Sequence, residues 1–298
     1  MEQPNPKERG YITVAARRPR YLEMAVDLAL SLRATNPEPI AIVVCDELRA
    51  PLEKHYGDVF DYVLRLPNEY DLKRALKFSI GEVSPFQKNF FIDADAIVLE
   101  SLEEWWNAVD GQTLSMMGEL VGPDDDRQHH LESTTKMIAR FGLEKYFKNN
   151  ASVFYVDLES GAPWMYEAFE IYRDEILPGT KWPGDELAFG VLGGRHAIHS
   201  MLERSPIMWR EQIESWQPGK HCAPVFSAIA TPPEETVHWL VKQIAERRQN
   251  AGVAMRSEPM WRGKVAISGV PRSLWALLRV TYHRLGFRRE EARWWRSV

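Results

Sequence analysis

Cysteine is scarce in this 298-residue sequence: only Cys45 and Cys222 occur. Two thiols so far apart give no zinc-binding spacing and no disulfide framework, so both are expected to be core thiols in a reducing compartment. No run of about 18 apolar residues is present, which excludes a membrane-spanning helix. The opening "MEQPNPKERG" lacks the apolar core of a secretory signal, and a cytoplasmic protein is expected. A basic excess is also missing. The 37 Lys and Arg against 42 Asp and Glu leave a net charge of −5, which argues against wholesale coating of nucleic acid but not against local patches. Glycine-rich phosphate loops are absent where they would matter. The segment "AARRPRY" (15–21) contains neither GxGxxG nor GxxxxGK[ST], which excludes a Rossmann dinucleotide site and a P-loop. A diphosphate held at this place would need a metal instead.

What is present is 45% apolar composition, enough for one large domain or a domain with an appendage. Strand-like and helix-like segments alternate through the first hundred residues, the pattern of an α/β sheet with parallel strands. "YITVAA" (11–16), "IAIVVC" (40–45) and "DYVLRL" (61–66) read as strands. Residues 19 to 34, with Pro19 near the start, read as a helix. "DLKRALKFSI" (71–80) reads as a second helix capped by Asp71.

The next strand, "FFIDADAIV", ends on acids: Phe90, Phe91 and Ile92 run directly into Asp93 and Asp95. In an extended chain these two carboxylates point to one face, roughly 6 to 7 Å apart. They can then close on a single cation, and hard oxygen donors favour Mg²⁺ or Mn²⁺. Taken alone, the pattern equally fits a solvated junction between strand and loop. Its place at a strand's carboxyl end is where ligands sit in such sheets.

Four segments, in order, resemble the GT-A glycosyltransferases that use nucleotide-sugar donors, and within them the glycogenin-like and lipopolysaccharide galactosyltransferase-like group. They are "YITVAARRPRYLEMAVDLALSL", "LKFSIGEVSPFQKNFFIDADAIVLESLEEWW", "NNASVFYVDLES" (149–160) and "WPGDELAFGVLGG" (182–194). The resemblance implies a mixed, mostly parallel, Rossmann-like sheet flanked by helices. It also implies transfer of a sugar from a nucleoside-diphosphate sugar, a UDP-sugar by the family's habit, to an acceptor hydroxyl with retention. Asp93 and Asp95 would bind Mn²⁺ or Mg²⁺, with His238 of "TVHWLVKQ" (236–243) as third ligand at a strand end and Lys242 near the diphosphate. Ala15, Ala16, Tyr21, Lys77, Ala94, Asn150 and Ala151 would contact the donor. Asp185 and Glu186 match the family's Asp-Gln pair, so that a carboxylate replaces the amide below the anomeric carbon. Arg17 stands where the family has an aspartate for the base, and Ser152 replaces a glycine.

The resemblance covers about residues 10 to 245, giving a catalytic domain over 1–250 and a basic, aromatic appendage over 251–298. Residues 271–298 hold seven arginines against two glutamates, which suits peripheral contact with an anionic membrane, stacking on single-stranded nucleic acid, or plain packing on the domain. The polar segment 121–142 reads as a loop over the acceptor, and its Asp124 to Asp126 run with His129 and His130 fits a solvated loop or a set of metal ligands. The acceptor is open: a glycolipid, polysaccharide, protein or modified nucleic acid. The acid motif also fits a haloacid-dehalogenase-type phosphatase with Asp93 as nucleophile, and a non-catalytic sugar-nucleotide or membrane-binding module is the third class.

Overall fold

The computed structural model describes residues 7–125, 127–203, 205–219, 223–227 and 233–254. Eleven strands occur among the described residues: β1 (Lys7–Ala15), β2 (Ile40–Val44), β3 (Tyr62–Arg65), β4 (Phe86–Ile92), β5 (Ala96–Val98), β6 (Leu114–Val121), β7 (Gln128–His129), β8 (Glu132–Ser133), β9 (Tyr146–Asp157), β10 (His199–Ser200) and β11 (Val225–Ser227). Seven of them form one sheet in the order β10-β6-β9-β4-β1-β2-β3. β1 pairs in parallel with β2 and β4, and β2 with β3. β9 runs antiparallel between β4 and β6. The sheet is therefore mixed. Its central strands are apolar on both faces because helices cover both: β2 is buried at every position, as expected for parallel strands between two layers. Pro19 opens the helix Pro19–Arg33, whose Leu22, Val26, Leu28 and Leu32 are buried.

Two local expectations are corrected. Residues 71–80 are not one helix: a 3₁₀ turn at Asn68–Tyr70 and another at Ala75–Ser79 precede a single α turn at Ile80–Val83. Lys73 has a φ of 44°, a left-handed conformation that no helix continues through. Asp71 caps nothing, since its carboxylate accepts from Arg17 Nε at 2.8 Å. Asp93 and Asp95 are not in extended chain either. Ala96 N donates to Asp93 O at 3.0 Å, so the pair sits at the first and third positions of a turn between β4 and β5.

A smaller cluster, which includes Ile97, Met208, Ile213, Trp216, Phe226 and Leu240, lies beneath the helix Glu234–Asn250. That helix is also tied to Pro19–Arg33 by a fully buried ion pair, Arg248 Nε to Asp27 Oδ1 at 2.6 Å, and Arg248 Nη2 donates to Glu23 O at 2.9 Å. Removing one partner strands a buried charge, so Arg248→Ala should destabilise the chain by about 3–5 kcal/mol in equilibrium denaturant unfolding. A change below about 1 kcal/mol would mean that water reaches the Asp27 carboxylate. Among the described residues no helix is long and apolar enough to cross a membrane. Cys222, the segment 271–298 and all of the expected appendage beyond residue 254 lie outside the described residues.

Candidate active site

β1 marks the point where strand order reverses, with β2 and β3 on one side and β4 on the other. Sheets of this kind open a crevice there, outside the carboxyl ends of the strands. A cleft of about 570 Å³ occupies that position. Asp93, Asp95, Asp185 and Glu186 line it together with Lys77, and Arg17, Arg18, Lys73 and Arg74 line it as well. The latter four are exposed. Arg17 holds a φ of 66° and commits its guanidinium to Asp71 and to Lys73 O, at 2.9 Å for the latter. This joins the loop after β1 to the 71–74 segment and leaves the rim positively charged above an acidic floor.

Lys77 is the hub of that floor. Its Nζ lies 2.8 Å from Asp185 Oδ2 and 3.0 Å from Asp93 Oδ1, and donates to Ala151 O at 3.0 Å. Burial opposes its charge, but Asp185 and then Asp93 hold its pKa above the ordinary lysine value. Burial pushes the Asp93 carboxyl up to about 7, with Lys77 opposing and Asp95 and Asp185 adding to the rise.

The device that gathers these groups is an irregularity in β9. Met116 pairs with Phe154, whereas Met117 pairs with Asn150, so residues 151–153 drop out of the β6 ladder. Freed there, backbone groups turn to the site. Ala151 O accepts from Lys77, Ala151 N donates to Glu186 Oε1 at 3.1 Å, and Ser152 O accepts from Asp93 N at 2.8 Å. Asn150 Oδ1 accepts from Ser152 N at 2.9 Å, which fixes the amide.

The β7–β8 hairpin supplies a histidine that the sequence analysis left outside the site. His130 and Leu131 both have left-handed φ, 48° and 67°, and this tight reversal brings His130 Nε2 against Glu186 Oε2. Gly184, just before the helix Asp185–Arg195, leaves room for it: a Cβ there would lie 3.2 Å from the ring. Burial pushes the Glu186 carboxyl up to about 7, with Asp185 adding and Lys77 opposing. Burial lowers the pKa of His130. Its neighbour His129 is buried, with Nδ1 2.8 Å from Tyr146 Oη and Nε2 2.8 Å from Asn149 O. A carbonyl only accepts, so Nε2 carries the proton and the Tyr146 hydroxyl donates to Nδ1. Burial, then His130, pushes His129 down to about 4, which keeps it neutral.

His129, His130 and Glu186 offer ligand atoms within 4.8 Å of one another. Both His129 nitrogens are already bonded, however, so a cation there would break one of those contacts. Asp125 of the acidic run pairs with Arg127, and Asp126 lies outside the described residues.

Of the residues expected at the site, Ala16, Tyr21, Lys77, Asp93, Ala94, Asp95, Asp185 and Glu186 line the one cleft. Ala15 is buried behind it, Ala151 contributes backbone, and Asn150 faces an adjoining cavity. The strand-end placement expected for His238 and Lys242 is corrected. Both are exposed on the helix Glu234–Asn250 rather than at a strand end, and neither lines the cleft. Val237, Leu240 and Ile244 turn inward on that helix, which puts residues 238 and 242 on its outer face. Among the described residues Lys242 meets Glu246, at 3.7 Å.

No protein-family model matches the chain, and no curated protein sequence matches it. Solved structures do. The galactosyltransferase LgtC, in complex with donor and acceptor sugar analogs, is similar at a TM-score of 0.54 and 14% identity, over 86% of this chain and 100% of that one. The bifunctional glycosyltransferase WbbM, in its apo form, is similar at 0.54 and 10%, over 87% of this chain and 52% of that one. The glycosyltransferase GlyE of Streptococcus pneumoniae TIGR4 is similar at 0.51 and 12%, over 83% and 66%. These likenesses bear on architecture, and the chain has the GT-A glycosyltransferase fold that the four sequence segments imply.

Proposed function

We propose that the chain is a metal-dependent glycosyltransferase that moves a sugar from a nucleoside-diphosphate sugar, a UDP-sugar by family habit, to an acceptor hydroxyl with retention. The observation that carries this reading is the placement of Asp95 beside the Asp93–Lys77 ion pair in the cleft at the strand-order reversal. The donor set fits a hard divalent cation, Mn²⁺ or Mg²⁺. Four carboxylates line the cleft around one half-buried ammonium, and the rise of the Asp93 pKa marks an acid whose charge awaits compensation. When bound, such an ion supplies positive charge to the departing diphosphate. The chain's own cations act beside it. Arg18, Lys73 and Arg74 at the rim attract the polyanionic donor, and Lys77 lies close to its diphosphate. Asp185 holds Lys77 in place through the 2.8 Å ion pair, and Glu186 faces the anomeric carbon. A haloacid-dehalogenase-type phosphatase is not favoured, because the fold is the GT-A one.

Calorimetric titration of UDP with and without Mn²⁺ tests the reading. Chelator should weaken binding about tenfold or more, and Asp95→Asn in Mn²⁺ should reproduce that loss while its melting temperature without ligand stays near wild type. Equal affinity in chelator, or no nucleotide binding at all, would overturn it.

A further inference from the structure

The β7–β8 hairpin, which carries His130, has little of its own to hold it. Its ladder has two residue pairs, Gln128 with Ser133 and His129 with Glu132, and a hairpin that short is marginal in water. Its tip adds a cost, because His130 and Leu131 are non-glycine residues in the left-handed region, a conformation that persists only where surrounding contacts enforce it. His129, which is buried, supplies two of those contacts. Tyr146 Oη donates to its Nδ1 and its Nε2 donates to Asn149 O, each over 2.8 Å. One ring thereby clasps the start of β9. The hydroxyl and the carbonyl ask opposite roles of the two nitrogens, which only the neutral imidazole with its proton on Nε2 supplies. Burial and then His130 hold the pKa at about 4, which keeps that form.

Asn149 extends the tie to the other side of the pair. It is buried as well, and its Nδ2 donates to Glu186 O at 2.9 Å and to Phe147 O at 3.0 Å. Glu186 stands in the first turn of the helix Asp185–Arg195. Tyr146 meets the same helix one turn later, where its ring lies against Gly190 so closely that no larger residue fits. A chain of directional contacts thus runs from the hairpin through His129 and Asn149 to Glu186, and its two ends meet in the His130–Glu186 pair. We infer that His129 is a positioning residue for the proposed transfer: it sets that pair from both sides, the imidazole through the hairpin and the carboxylate through Asn149. This rests on the glycosyltransferase reading above. Packing alone would ask only for a ring of that volume, whereas this arrangement asks for an acceptor at Nδ1 and a donor at Nε2. Losing either bond strands buried polar groups and frees the pair to drift, and a shift of about 1 Å in a reacting geometry costs on the order of a hundredfold in rate.

The test combines donor turnover and calorimetry of UDP, both in Mn²⁺, with hydrogen–deuterium exchange of the ligand-free full chain. His129→Phe should lower turnover about a hundredfold while UDP affinity changes less than about twofold. Amide exchange should rise about tenfold or more over residues 128–133 and 185–188. His129→Gln can still donate to Asn149 O and should recover most of both losses. Tyr146→Phe removes one hydroxyl and should move both readouts the same way by a smaller factor, about tenfold in turnover; it decides the matter if His129→Phe does not fold. Wild-type turnover in folded His129→Phe, equal losses in His129→Gln and His129→Phe, or a rise in exchange spread evenly over the chain would each overturn the positioning role. Absence of UDP binding by wild type would instead overturn the transferase reading, and the exchange comparison would still accept or reject the tie between hairpin and helix.

Discussion

Lys77→Met should lower donor turnover about a thousandfold, the upper end of what one preorganised electrostatic contact contributes. Methionine fills a similar volume but removes the single ammonium that holds Asp185 at 2.8 Å and Asp93 at 3.0 Å. Those two carboxylates then face each other, with Asp95 and Glu186, across a partly dry floor. Stability should follow with a definite sign. In the wild type Asp93 is held at about 7, above the ordinary carboxylate range, so its contribution is greatest in acid and is lost as pH rises from that range through about 7. Without Lys77 the carboxyl moves higher still, and the loss steepens and extends further into base. In chelator, the variant should therefore be destabilised by about 3–5 kcal/mol at pH 8, and by clearly less at pH 5, where protonation relieves the unpaired acids. Thermal unfolding at the two pH values, beside donor hydrolysis in Mn²⁺, separates the effects. An equal loss at both would show that Lys77 acts through packing, and wild-type turnover would remove it from the donor site.

The sequence shows the parts of this molecule that depend on local pattern. β1, β2, β3 and the helix after Pro19 are legible because apolar runs and a proline mark them without reference to anything distant. The paired acids are legible as residues but not as geometry. Period-two alternation holds only while a ladder lasts, and the β4 ladder stops at Ile92, paired with Val153. One residue on, the chain turns. The β9 irregularity that gathers Lys77, Asp93 and Glu186 is set by two partner strands at once, so no local signal announces it. His130 is visible as one of two adjacent histidines, yet only the left-handed reversal at 130–131 and the missing side chain of Gly184 bring it to Glu186. The Arg248–Asp27 pair spans 221 residues and leaves no local trace. His238 and Lys242 teach the opposite lesson. Val237, Leu240 and Ile244 follow helical spacing plainly, and that period already puts residues 238 and 242 on one outward face, whereas the family resemblance points to a strand end.

Glu186→Gln should cut turnover about a hundredfold while changing the affinity for UDP less than about twofold, the signature of a contact that matters only in the transition state. The substitution is nearly isosteric, and the remaining carboxamide oxygen can still accept from Ala151 N, which holds the wild-type Oε1 at 3.1 Å. On the proposed reading, what disappears is a negative charge facing the anomeric carbon as positive charge develops there. The pH profile identifies that charge. Glu186 is held at about 7 by burial and by Asp185, so its ionised fraction, and turnover with it, should fall as pH drops through about 7 when Mn²⁺ is saturating. Burial lowers the pKa of the neighbouring His130 from its ordinary value. The glutamine variant should be flat over the same range. It should also gain stability relative to wild type above pH 7, because a carboxyl with a raised folded-state pKa loses its contribution as pH rises through that value. Turnover by stopped assay from pH 5.5 to 8.5, with unfolding at pH 8, reads all three effects. If the acid limb survives in Glu186→Gln, or if turnover matches wild type, the residue that senses the anomeric centre lies elsewhere in the cleft, and Asp185 behind Lys77 becomes the group to replace next.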